Sequence, residues 1–170
     1  LTITSTINTN PPPLINQEEE KKGKKIKMAG RFILALVGLA TSTGCFIADW
    51  NETHIYNPNW APHAKFHNGQ TMSMGALLGI TTLYFLYGPP ASSSLPVSQQ
   101  RSALWTAAWI ASLYWTTQFS ALFYPGSLAV DPEFGDGQPQ VYLVSGFLSM
   151  IVVGVWLERK RFQHVAKRVD

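Results

Sequence analysis

Charge is scarce in this sequence and unevenly spread. Charged residues make up 14% of it, against roughly a quarter in an average soluble domain. No charged side chain lies between Arg31 and Asp49, Lys65 and Arg101, Arg101 and Asp131, or Asp136 and Glu158. Of the 13 Lys and Arg residues, six cluster at 21–31 and five at 159–168, leaving only Lys65 and Arg101 between them. A soluble globular domain needs charge on every exposed face, so the pattern excludes one. It also argues against a nucleic-acid partner, despite a net charge of +3: the basic residues form two end clusters that flank apolar runs rather than a binding stripe.

Other absences narrow the chemistry. Cys45 is the one cysteine, which excludes an intrachain disulfide and a Cys-based metal site. Asn59, Asn68 and Met72 stand five residues after His54, His63 and His67, so there is no H-x4-D and no common acyltransferase pair. Three loop histidines are too few for a multi-histidine diiron centre. Neither G-x-S-x-G nor G-x-x-x-x-G-K-[ST] occurs. Few ionisable groups fall inside the apolar runs, which argues against an ion pump or coupled transporter.

What is present is four apolar stretches of spanning length, since a helix needs about 17–25 residues to cross a bilayer. The sequence predicts an all-α, polytopic membrane four-helix bundle with helices at about 30–48, 69–87, 103–124 and 139–157. The domain runs over 29–158, between a basic, disordered N-terminal tail (1–28) and a basic C-terminal tail (159–170). Met28 is the first methionine, so the upstream tail is either a real cytosolic extension or not native. Basic clusters at both ends place both termini in the cytoplasm by the positive-inside rule. Loops 49–68 and 125–138 then face the lumen, and 88–102 is an irregular cytoplasmic connection rich in Pro and Ser.

The chemistry-bearing segment is DWNETHIYNPNWAPHAKFHNGQ, residues 49–70, which contains three of the four His residues. Pro62 suits the first position of a helix. A helix starting there puts His63 and His67 on one face, continuing through Gln70, Thr71 and Met74. Both rings are expected to turn inward, towards Asp49 and the region of Gln118 on the third helix. The candidate catalytic groups are His63, His67, Asp49 and His54, acting as acid, base or metal ligand. Asn51, Asn57, Trp60 and Gln118 are candidate ligand-binding residues. The identity of any metal or cofactor is left open. The competing reading is a hydrogen-bonded plug with no catalytic role. The acidic run Asp131, Glu133, Asp136 reads as a solvated loop. Gly75 and Gly79 form a G-x-x-x-G, used within the bundle or in a homodimer.

The run Asp49-Trp50-Asn51-x-Thr53-His54-x-x-Asn57-Pro58-x-Trp60-x-Pro62-His63-Ala64-x-Phe66-His67 resembles the signature loop of small four-helix membrane proteins of fungi and some bacteria. That family carries genome labels such as acetyltransferase without an assigned mechanism. The resemblance covers about 29–158 and transfers no catalytic roles. A looser likeness is to the sterol-isomerase and sigma-2-receptor-like four-helix membrane fold, whose acidic and His groups face a lipophilic cavity. Together these readings imply two function classes with the bilayer as partner. One is an enzyme acting on a lipophilic small molecule at the lumenal face. The other is a non-catalytic lipid-binding or structural membrane protein. The compartment expected is the endoplasmic reticulum or a connected membrane, from the loosely dibasic close at Lys167-Arg168.

Overall fold

The computed structural model describes the backbone of residues 14–166 and the side chains of residues 29–163. The tail 1–13, the His164 side chain and Lys167-Arg168 lie outside the described residues. Four α-helices and no strand occur among those residues: α1 (Leu14–Asp49), α2 (Pro62–Tyr87), α3 (Val97–Ala121) and α4 (Pro139–Ala166), with a short 3-10 turn at Pro89–Ala91. Ala29–Asp49 and Pro139–Gln163 are long and apolar enough to cross a membrane. Pro62 opens α2, as its missing N–H favours.

Four boundaries depart clearly from expectation, among them α2, which opens at Pro62 rather than about 69, and α4, which runs to Ala166 rather than about 157. The helix α1 begins at Leu14, so the charge block 18–27 continues the helix where irregular chain was expected. Its composition explains this: Glu18 and Lys22, and Glu20 and Lys24, stand four apart in the favourable order on strong helix formers. The helix α3 begins at Val97, inside the stretch read as irregular connection.

The helices form a square. The α1 helix packs against α2 and α4, and α3 packs against the same two; α1 and α3 also meet across one diagonal, whereas α2 and α4 do not. The reason is the size of the residues in the seams. The buried stripe of α2 is Met72, Gly75, Gly79, Thr82 and Leu86, at three- and four-residue spacing. A methyl on Gly79 would run into the Gly38 carbonyl oxygen and sit 2.6 Å from the Ser42 nitrogen. Gly30 and Gly154 play the same part between α1 and α4: a methyl on Gly30 would lie 2.6 Å from the Gly154 carbonyl oxygen. The G-x-x-x-G of α2 therefore packs against α1 in this chain, Gly75 meeting Thr41 and Cys45. On α3 the buried face is largely alanine: Ala103, Ala107, Ala108 and Ala111. Across the diagonal, Trp115 Nε1 donates to Thr41 Oγ1 at 3.0 Å, both side chains being buried. Trp115 also stacks on Phe147 of α4, ring centroids 4.0 Å apart.

The bundle also buries Leu34, Leu86, Leu104, Ile151 and Phe162, but many other large apolar side chains point outward. Leu39, Leu77, Ile80, Trp109, Val152 and Trp156 are all exposed, each from the middle of a helix or its apolar run. Small residues in the helix seams, beside a buried apolar core and with many bulky apolar side chains exposed, is a pattern of helices that associate by close packing.

Gly79→Ala should destabilise the fold by about 1–3 kcal/mol, because two backbones must separate. Gly146→Ala, whose added methyl meets nothing within 4 Å, should be neutral or stabilising by about 0.5–1 kcal/mol. Thermal unfolding of the two variants in detergent measures the difference.

Candidate functional site at the loop end

Both longer connections, 50–61 and 122–138, meet at one end of the bundle. The first is a chain of turns built by its own Asx side chains. Asn51 Oδ1 accepts the Thr53 N–H at 2.8 Å and the Thr53 hydroxyl at 2.6 Å, while its Nδ2 donates to the Ala48 carbonyl at 2.7 Å. Asn57 Oδ1 accepts the Asn59 N–H at 2.8 Å. Asn and Asp side chains reproduce a backbone turn in this way, which is why an N-rich, proline-broken segment holds one shape.

The two connections are then tied together by carboxylates of the second. Asn57 is 1% exposed, and its Nδ2 donates to Glu133 Oε1 at 2.7 Å. Asn59 Nδ2 donates to Glu133 Oε2 at 3.0 Å. Trp60 Nε1 donates to Asp131 Oδ2 at 3.0 Å. Bonds to a charged acceptor are the stronger kind, about 1.5–3 kcal/mol each. Glu133 and Asp136 are exposed and Asp131 is half-buried, so the loop is solvated as the sequence suggested, but Asp131 and Glu133 also clamp the two connections together.

A second group surrounds the end of α1. Asp49 Oδ2 accepts from Asn68 Nδ2 at 2.9 Å, and Asp49 Oδ1 lies 3.8 Å from His54 Nε2. The other ring nitrogen of His54 is 2.6 Å from Thr53 Oγ1, and the ring sits edge-on to Trp60 at 4.8 Å. His54 thus stands between a carboxylate and a hydroxyl, with the hydroxyl alone at hydrogen-bond distance.

His63 and His67 do not join either group. Both are exposed, and their Nε2 atoms lie 3.0 Å apart, so each ring satisfies the other instead of Asp49. The register of the α2 seam is the cause. Extending Met72–Gly75–Gly79 back by one turn lands on Asn68, which takes the place beside Asp49 expected for His67. The face through Gln70, Thr71 and Met74 points outward. Gln118 is half-buried on α3, its Oε1 without a hydrogen-bond partner among the described residues. No group of three or more His, Cys, Asp or Glu is placed to hold a metal among those residues.

The bonding residues without a role in the sequence reading are Thr53 and Asn68 here and Glu158 at the opposite end, while Asp131 and Glu133 read from the sequence only as a solvated loop. For Glu158 a signal existed: the i,i+3 spacing to Arg161 on an otherwise apolar helix.

A family model described as "Family of unknown function (DUF6640)" matches residues 33–168, and the chain belongs to that family. No curated protein and no solved structure matches it.

Asn57→Ala and Glu133→Ala should be coupled by roughly 0.5–3 kcal/mol in a double-mutant unfolding cycle, because they share one bond network. Asp49→Ala and His67→Ala should add within about 0.5 kcal/mol. Coupling of the second pair rather than the first would contradict the arrangement described.

Proposed function

We propose that the chain is a four-span integral membrane protein with a non-catalytic, structural or lipid-contacting role, closed at its lumenal end by a hydrogen-bonded cap. The exposed apolar side chains on all four helices support the membrane placement, since a soluble surface rarely leaves large contiguous apolar patches bare. The charge distribution supports both termini lying in the cytoplasm. The observation that carries the cap is the use of Glu133 and Asp131 by Asn57, Asn59 and Trp60. Among the candidate ligand-binding residues, Asn51, Asn57 and Trp60 are already engaged in hydrogen bonds.

The Asp49–His54–Thr53 run favours a second reading, an enzyme whose partly exposed His54 exchanges a proton with a lipophilic substrate at the membrane face. Asp49 would orient the ring in that case. The two readings separate by variant. His54→Ala leaves the three cross-loop bonds intact, whereas Glu133→Ala strands the buried Asn57 amide at a cost of about 1–3 kcal/mol.

The cap reading expects His54→Ala to keep cellular abundance within about twofold of wild type and to leave the lipid profile of expressing cells unchanged. Glu133→Ala should lower abundance several-fold. Immunoblotting with untargeted lipid analysis of the same cells measures both. A normally abundant His54→Ala variant that loses a wild-type change in the lipid profile would establish the enzyme reading instead.

A further inference from the structure

The opposite end of the bundle contains a buried ionic cluster that the cap does not use. Glu158 has a side chain 1% exposed, yet it lies among cations. Its Oε1 accepts the Arg31 backbone N–H at 3.2 Å. Its Oε2 lies 2.8 Å from Arg161 Nε and 3.9 Å from Arg31 Nε. Arg161 approaches off its N–H direction, so its buried Nε and Nη2 have no hydrogen-bond partner among the described residues. Two guanidiniums against one carboxylate leave one positive charge without a counter-charge in the cluster.

These groups open on a shallow recess to which all four helices contribute side chains, walled by Phe85 and Leu86 of α2 and Gln100 and Leu104 of α3. The space inside it is about 10 Å³, enough at its floor for one atom the size of a water oxygen. More cations stand at this end of the bundle, outside the recess itself. Arg101 lies 6.0 Å from the Phe162 ring, which Arg161 also faces at 4.2 Å. Arg159 and Lys160 lie over Trp105 and Trp156. A buried guanidinium with idle donors is costly unless an acceptor arrives. A water supplies an acceptor but no charge. An oxyanion supplies both, and the planar fork of Arg suits a phosphate.

We propose that this recess binds one phosphate group, with an oxygen at the floor against Arg161 and the rest of the group in the mouth. The source is either an anionic phospholipid head group or free phosphate. Only the lipid source rests on the membrane placement proposed above, in which the recess lies at the level of the head groups on the cytoplasmic side.

The test is thermal unfolding of the purified full chain at fixed ionic strength. One arm titrates inorganic phosphate in detergent; the other compares nanodiscs of phosphatidylcholine with and without phosphatidic acid. At ten times Kd the wild type should gain about 4 °C. Arg161→Lys keeps a cation opposite Glu158 but loses the idle Nη2 donor, and should lose most of the gain; Arg161→Gln should lose all of it. Lys65→Gln, at the far end, should keep it. A shift with phosphatidic acid alone assigns the head group, and a shift with inorganic phosphate assigns the free ion. No shift from either ligand, or equal shifts in wild type and Arg161→Lys, overturns the site. Failure to enter nanodiscs while the phosphate shift persists in detergent would overturn the membrane placement and leave the site standing.

Discussion

The contact between the backbones of α1 and α2 at Gly38, Ser42 and Gly79 sets the geometry of everything else. With no side chain between them, these helices approach until a single methyl no longer fits. The Gly30–Gly154 contact does the same between α1 and α4. With α1 drawn in from two sides, Thr41 comes within reach of Trp115 on α3, and the square is braced across one diagonal. Dispersion between close surfaces and one buried hydrogen bond hold these helices together.

The two ends follow from that frame and solve different problems. At the loop end, irregular backbone would expose many unpaired polar groups; the Asx turns satisfy some of them locally, and two acidic side chains of the other connection take up the Asn57, Asn59 and Trp60 side chains. At the basic end, Glu158 is pulled under a cover of guanidiniums by the turn of α4 that faces α1 and α3. The carboxylate is offset by Arg31 and Arg161, while Arg161 is left with idle donors. The first end is closed on itself and the second is not.

The helices were legible because their limits are written as charge and proline: α1 ends at Asp49, α2 opens at Pro62, and α4 opens at Pro139. The internal use of Gly75 and Gly79 was open to two readings, and the spacing alone could not choose between partners. The loop end was half legible. Its polar richness was visible, but the bonds from Asn57 to Glu133 and from Trp60 to Asp131 join residues 76 and 71 positions apart. Only the return of α3 into α4 brings them together. The inward turn expected of His63 and His67 failed on register, since helical spacing from Pro62 fixes a shared face but not its direction. That direction was set from inside the bundle by Gly75 and Gly79, which leave Asn68 as the residue facing Asp49.

In the membrane placement proposed above, the exposed apolar side chains of the helices meet lipid and the seams do not. Trp109 and Trp115 stand on the same helix, 67% and 6% exposed. Fluorescence quenching by lipids brominated on their acyl chains, in two variants retaining one or the other tryptophan, tests it directly. The account predicts strong quenching of Trp109 and little of Trp115. Equal quenching of the two, or a Trp109 reached only by water-soluble quenchers, would contradict it.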